Sequence, residues 1–537
     1  MNSHRGADLL AATLKAAGVT RIFTLSGNHI MPVFDAALDA GIELVHTRHE
    51  AACVHMADAY ARLTGTPAVA MVTGGPGHAN AVSALYTARM GEAPIVLLSG
   101  HAPNDQADMG AFQEMAQAAM AAPVCKAAWN AADADSLGVD MLRALATAAA
   151  GRPGPVNLNL PTDALEGTTR VATPAAPANA QNTFDDAAAR AAMDWLSQGA
   201  RPLILAGAVS LTPAGRPLLT ALEDACGIPV VGMESPRGVA DPSLGAFAEV
   251  LAQADRVLLV GKRVDFTLKF GRALSADALV LQLDPEAEER ARAARAFGAR
   301  LTSSLDAAPL AALRALASAT TRKGSAAWFD EVGGAIRHRP AAWQTAQAGQ
   351  PHRLHPMEVC RPLQTLLDSH PDSVLVSDGG EFGQWAQACL AAPTRIINGA
   401  AGAIGPALPF ALGARMARPG VPIVALMGDG TFGFHAMEID TAMRHRLDFV
   451  AVVGNDARWN AEYQIQLKSY GAARTVGCSL EPSRYDFVAA SFGAYGEMVE
   501  DPGRMADAVA RARASGRPAL LNVMIEGLAA PQVTRKS

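Results

Sequence analysis

The chain has 537 residues, half of them apolar and 18% charged, and a formal net charge of −6 at pH 7. That length exceeds what one hydrophobic core fills and implies two to four domains, and the charge balance gives no electrostatic basis for binding nucleic acid or an anionic membrane. Six scattered cysteines with no CxxC pair, an N-terminus without an apolar signal core and the lack of a bilayer-spanning apolar run point to reduced thiols in a soluble cytoplasmic protein.

From Arg21 onward strand and helix patterns alternate. Strands are predicted over 21–25, 43–47, 68–73 and 95–99, separated by helices rich in Ala, Leu and Met. Turn residues stand at the strand ends, in Ser26-Gly27, Gly74-Gly75-Pro76-Gly77 and Gly100. This reads as an α/β domain with a parallel sheet over 1–165, closing with a helix at 142–149 and the phrase GRPGPVNLNL at 151–160. A similar phrase, GRPALLNVMI at 516–525, follows a helix near 505–512, so the first and last thirds are expected to share one structural plan. Residues 167–183, rich in Pro, Ala, Thr and Asn, form a predicted linker. A middle domain follows over 185–320, with strands at 202–205, 229–231, 256–260 and 279–283. Its turns LAGAVS and LVGKRV do not make GxGxxG, which argues for a scaffold rather than a dinucleotide site. A polar connection over 320–353 leads to a third domain at 355–530, giving three doubly wound parallel-sheet domains in all.

The stretch from Ala425 to Trp459 concentrates the chemistry. A buried strand ends at Met427, Gly428-Asp429-Gly430 breaks it, 432–446 has helical character, and a second strand over 449–453 precedes Gly454-Asn455-Asp456. A right-handed crossover brings two such strand ends to one rim of a parallel sheet, where ligands bind. Asp429 and Asp456 are then two hard oxygen donors suited to Mg²⁺, which completes its shell with water and phosphate and so implies a phosphorylated ligand. Gly430 and Thr431 open the following helix, whose N–H groups favour an anion. Read alone, GDG is equally well a strand-to-helix turn. Glu50 stands where a strand gives way to a helix and on that reading is a carboxylate stabilised by the helix dipole. His29 in SGNHIMP and Gln113 in GAFQEMAQ fall in strand-exit loops on the same side, as a helix cap and a solvated amide or as chemistry. His78 in GGPGHAN is a weaker candidate or a turn residue.

GDG, about 26 further residues and the Asn-rich end resemble the thiamine diphosphate motif of the superfamily of acetolactate synthase, benzaldehyde lyase and 2-hydroxyacyl-CoA lyase. The resemblance covers nearly the whole chain and implies an N-terminal pyrimidine-binding, a central and a C-terminal diphosphate-binding domain. It makes Asp429, Asp456 and the backbone carbonyl of Arg458 the Mg²⁺ ligands, with Asp456 standing where the family usually has Asn. Gly428, Gly430 and Thr431 belong to the same motif, and Gly380 and Glu381 are expected to approach the diphosphate. Ile404 takes the place of the bulky residue that forces the cofactor's two rings into a V, and Gly402 that of the carbonyl accepting from the 4′-amino group. Glu50 matches the carboxylate that hydrogen-bonds the aminopyrimidine N1′, favouring the imino form that removes the thiazolium C2 proton. His29 and Gln113 match the His and Gln that relay protons in benzaldehyde lyase.

The implied chemistry is addition of the cofactor's C2 carbanion to a small-molecule carbonyl compound and cleavage or formation of a C–C bond. The active site then forms between subunits of a homodimer or homotetramer. GNHI and AMAAP look like benzaldehyde lyase, GAFQEMAQ like both 2-hydroxyacyl-CoA lyase and acetolactate synthase, and ADRVLLVGKRVDFTLKFG like the CoA lyases. The middle domain is shorter than the region from which acetolactate synthases bind FAD, so a functional flavin is not expected. The preferred expectation is a 2-hydroxyketone lyase or carboligase, ahead of an acetolactate-synthase-like ligase of 2-oxo acids. A Mg²⁺-dependent phosphate-ester hydrolase and a catalytically silent regulator are the remote alternatives, and neither gives Glu50, Gly402 and Ile404 a purpose.

Overall fold

The structure is a computed structural model that describes residues 3–175, 182–319 and 324–535. The chain divides into two compact units. The first holds residues 1–180 with 412–417 and 440–445, and the second holds 181–411, 418–439 and 446–537.

A six-stranded parallel sheet forms the centre of the first unit. Its order is Glu43–His46, Arg21–Thr24, Ala68–Val72, Ile95–His101, Val156–Pro161, Ala127–Asn130. Ala68–Val72 is buried along its whole length, as a strand covered by helices on both faces must be. The core joins Val69, Met71, Val96, Leu98 and Leu158 of the sheet to Leu10, Leu14, Val33 and Met141 of the helices.

The second unit carries two parallel sheets. One has five strands, in the order Val230–Gly232, Pro202–Ala206, Arg256–Val260, Leu279–Leu283, Leu301–Leu305. The other has six, in the order Thr394–Ile397, Val374–Ser377, Ile423–Gly428, Phe449–Asn455, Pro518–Met524, Tyr495–Val499. Numbered by appearance in the chain, both six-stranded sheets run 2-1-3-4-6-5, so the repeated Gly-Arg-Pro phrase leads into the same position of the same topology. The order reverses between strands 1 and 3, and that switch point opens a crevice at the carboxyl ends of the strands.

Three features depart from expectation. Residues 320–353 are not simply a connection, because Ala326–Arg337 is a helix. Trp328, Val332 and Ala335, spaced for one helical face, are buried in the core of the five-stranded sheet. The helical stretch after the GDG segment starts earlier than expected, at Asp429, and is broken into Asp429–His435 and Glu438–Arg444. In the predicted linker, Thr168–Thr169 pairs antiparallel with His4–Arg5, while its residues 176–181 lie outside the described residues. All six cysteines are free thiols, five of them buried. Among the described residues no helix is long and apolar enough to cross a membrane.

Candidate active site

Register decides the geometry of the second unit's crevice. Strands Ile423–Gly428 and Phe449–Asn455 are parallel neighbours with Met427 opposite Val453 and Gly428 opposite Gly454. Asp429 and Asp456, just beyond, therefore leave the sheet at the same end. Both line a cleft of about 210 Å³. Gly380, Glu381, Gly402, Ile404, Gly428, Gly430, Thr431 and Arg458 stand on the same wall, so ten residues singled out from the sequence converge on one cavity.

Within the cleft the Asp429 carboxylate accepts from the Gly430 N–H at 3.0 Å and from the Arg458 N–H at 3.2 Å. The Gly430 amide is thus engaged by its neighbour's side chain rather than open to an anion. Thr431 turns its hydroxyl to the Gly428 carbonyl, 3.0 Å away. Gly430 is glycine for a packing reason: a methyl group there would sit 2.7 Å from the Trp459 ring. Burial pushes Asp429 up to about 6, and burial together with the charge of Asp429 pushes Asp456 up to about 7. The Arg458 and Arg353 guanidiniums act on Asp456 in the opposite direction. Two sheltered carboxylates that resist sharing negative charge fit a divalent cation. No group of three His, Cys, Asp or Glu side chains stands ready for a metal among the described residues. The set therefore fits an ion that takes its remaining ligands from backbone oxygen, water and phosphate. Glu381 is held at the rim, accepting from the Ala530 N–H at 2.7 Å, and burial raises its pKa.

The first unit gathers the other candidates at the carboxyl ends of its strands. Glu50 begins the helix Glu50–Thr64, which His49 caps by accepting from the Ala51 N–H. Its Oε2 accepts from Asn80 Nδ2 at 3.0 Å. His29 is buried in the turn after Arg21–Thr24, with Nδ1 3.2 Å from Thr73 Oγ1 and its ring stacked on Phe112. Burial holds its pKa below the ordinary histidine value, which favours the neutral ring. Gln113 has a left-handed backbone, φ +59°, and lies against Gly75. His29 and Gln113 thus each pack on the Thr73–Gly75 turn, His29 on Thr73 and Gln113 on Gly75, and Glu50 stands over the start of the helix that follows it.

Sequence reasoning missed Gln117 here and left the place of His78 open. Gln117 is buried, accepts from the Gly75 N–H at 2.8 Å, and donates to the Gly100 carbonyl and to Asn159 Oδ1, each at 3.0 Å. It ties the Gln113 loop to two strand ends. Its only sequence signal is a place one helical turn after Gln113. His78 is not a turn residue: it is fully buried in the first turn of Pro76–Gly91, with Nδ1 2.9 Å from Ser99 Oγ.

With this geometry in place, the comparisons are specific. Residues 4–120 match the thiamine pyrophosphate enzyme N-terminal TPP binding domain, and 378–523 match the corresponding C-terminal TPP binding domain. The chain is 33% identical to the acetolactate synthase large subunit of Mycobacterium tuberculosis, over 96% of this chain and 95% of that protein. It is 31% identical to human 2-hydroxyacyl-CoA lyase 2, over 97% and 90%. The chain belongs to the thiamine pyrophosphate enzyme family. The N-terminal match holds His29, Glu50 and Gln113, and the C-terminal match holds the whole carboxylate cleft. Fold and family agree that this is a thiamine pyrophosphate-dependent enzyme of mixed α/β architecture.

The buried His78 makes a stability prediction. Burial depresses its pKa to about 4, so the fold binds fewer protons there than the unfolded chain does. The stabilisation is complete above the ordinary value near 6.5 and is lost as pH falls through 4. His78→Gln is expected to reduce the stability lost between pH 7 and pH 4, measured by urea unfolding, by roughly 2–3 kcal/mol. An equal loss in both proteins would contradict this.

Proposed function

We propose that this enzyme is a C–C bond lyase or carboligase of 2-hydroxyketones or related 2-hydroxyacyl compounds, dependent on thiamine diphosphate and Mg²⁺. The observation that carries the reading is the packing of a buried His29 and of Gln113 on one turn, Thr73–Gly75, at the sheet end that also bears Glu50. Thiamine diphosphate, when bound, supplies a nucleophilic carbon that adds to the carbonyl and accepts the electrons of the breaking C–C bond.

The chain's own residues do the rest. Asp429, Asp456 and the Arg458 carbonyl would hold Mg²⁺, which would offset the charge of the cofactor's diphosphate, and Gly380, Glu381, Gly428, Gly430 and Thr431 would line the cleft that receives it. A second carboxylate in place of the family's Asn adds negative charge, and the neighbouring Arg458 and Arg353 offset it. Gly402 and Ile404 shape the floor under the ring system. Glu50 holds a proton at the aminopyrimidine N1′. His29 and Gln113 take up and return the proton of the substrate hydroxyl, a task that a neutral imidazole performs near pH 7. A homodimer or homotetramer, with Glu50 and the carboxylate cleft contributed by different copies, completes the site.

Likeness to an acetolactate synthase supports a second reading, a decarboxylating ligase of 2-oxo acids. Mass spectrometry of acid-quenched enzyme after exposure to pyruvate, benzoin, benzaldehyde or a 2-hydroxyacyl-CoA separates the two. An aldehyde fragment retained on the cofactor from benzoin or the CoA ester is expected, and retention of a two-carbon fragment from pyruvate alone would transfer the assignment to the ligase. Glu50→Gln tests the catalytic assignment. An amide cannot favour the imino form by accepting the N1′ proton, so hydrogen–deuterium exchange at C2 of the bound cofactor should slow by about 100-fold or more. Exchange at the wild-type rate would remove Glu50 from the mechanism.

A further inference from the structure

Beside Gly380 and Glu381, which line the cleft, stands a carboxylate that does not. Asp378 follows the strand Val374–Ser377 at the switch point of the sheet and is completely buried. Its carboxylate faces only backbone amides. Oδ1 accepts from the Gly379 N–H at 2.7 Å and from the Gly405 N–H at 3.0 Å, and Oδ2 from Gly405 at 3.1 Å and Ala407 at 3.1 Å. Three amides from two loops thus converge on one side chain, and among the described residues no cation pairs with it. Such charge-assisted bonds are about twice as strong as neutral ones, and losing a buried acceptor strands every donor aimed at it.

The second of those loops, 398–407, carries Gly402 and Ile404. Its backbone is otherwise held by few groups. Asn398 Nδ2 donates to the Ala403 carbonyl at 2.6 Å, and Gly402 and Gly405 both take left-handed conformations, φ +66° and +96°. The Ile404 side chain rests on the first loop, where a methyl group placed on Gly379 would lie 3.0 Å from Ile404 Cγ2. Asp378 therefore grips the Ile404 loop immediately behind the residue that enters the cleft, and fixes Gly379 against the same side chain.

We propose that Asp378 is a positioning residue that locks the 398–407 loop onto the Asp378–Gly380 loop, so that Gly402 and Ile404 present a fixed surface to the thiamine diphosphate ring system. This rests on the functional reading above. The carboxylate touches neither cofactor nor substrate, and acts through the two loops. Burial pushes its pKa up to about 6, opposed by the three amides, so it is charged and able to accept all its bonds at pH 7.5 and above.

The experiment compares wild type, Asp378→Asn, Asp378→Ser and Gly379→Ala, each as the full chain at pH 7.5 with saturating thiamine diphosphate and Mg²⁺. Asn keeps one acceptor oxygen, Ser is small enough for the pocket, and Gly379→Ala leaves Asp378 intact while pressing on Ile404. The readouts are cofactor affinity by calorimetry, C2 hydrogen–deuterium exchange of the bound cofactor, and the unfolding midpoint. A positioning role predicts an exchange rate at saturation reduced about 10-fold or more in all three variants, with the smallest loss in Asp378→Asn. A merely structural carboxylate would lower the unfolding midpoint and leave exchange at saturation unchanged, and that result in either folded Asp378 variant overturns the proposal. Failure of both Asp378 variants to fold, with wild-type exchange in Gly379→Ala, overturns it too. If wild type itself neither binds thiamine diphosphate nor exchanges its C2 proton, it is the functional reading that fails.

Discussion

Two parallel strands lying side by side in register, each followed by an aspartate, impose the central constraint on this protein. Because Gly428 pairs with Gly454, the Asp429 and Asp456 carboxylates must leave the sheet together, Asp429 buried and Asp456 half-buried on the wall of one cleft. Burial raises both carboxylates toward neutral pH, and Asp456 rises further because Asp429 is beside it. A pair so placed is costly alone and satisfied by a divalent ion, and the surrounding wall of small residues leaves room for a phosphate partner to that ion. Trp459 over Gly430, Thr431 folded back on Gly428 and the Arg458 amide on Asp429 all hold the pair rather than fill the cleft.

The same topology appears twice, put to two uses. In the C-terminal six-stranded sheet the switch point carries Asp378 and Asp429, two carboxylates. In the N-terminal one the same point carries His29 and the Thr73–Gly75 turn, and the groups gathered there are His29, Gln113 and Gln117, with Glu50 nearby. Gln117 in one and Asp378 in the other do comparable work: each is a buried acceptor for the backbone N–H of a neighbouring loop, converting flexible strand exits into fixed walls. The chemistry of a family that leaves bond-making to its cofactor demands this of the protein, because holding geometry is most of what remains to be supplied.

How much of this was legible in the sequence follows from where each residue draws its partners. Central strands such as Arg256–Val260 and Leu279–Leu283 are four-fifths apolar, each with a single polar residue, and their limits in the structure are those expected from the sequence. Leu301–Leu305 and Ala127–Asn130 sit at sheet edges, half exposed, with polar residues that make no such run, and were missed. The helix at 326–337 was hidden because Pro and polar residues around it outweighed three apolar positions. Asp429 and Asp456 were legible because each depends only on its own strand and on the crossover between them. Asp378 and Gln117 were not, because their roles exist only once loops from separate strands meet, and nothing local distinguishes a buried acceptor of three amides from a solvated one; His78 stood as a weaker candidate, and its burial depends on Ser99 of another strand. The roles proposed for Glu50, His29 and Gln113 come from resemblance, since their local sequence fits a helix end or a surface loop equally well.

The family relation makes thiamine diphosphate the cofactor to test, and the carboxylate pair makes the metal ion the step on which its binding turns. Isothermal titration of the metal-stripped full-length protein with thiamine diphosphate, with and without Mg²⁺, addresses that most directly. Saturation near one cofactor per chain with Mg²⁺ present, and loss of measurable binding when it is withheld or when Asp429 is replaced by Ala, is the expected result. Equal affinity with and without a divalent ion would contradict it.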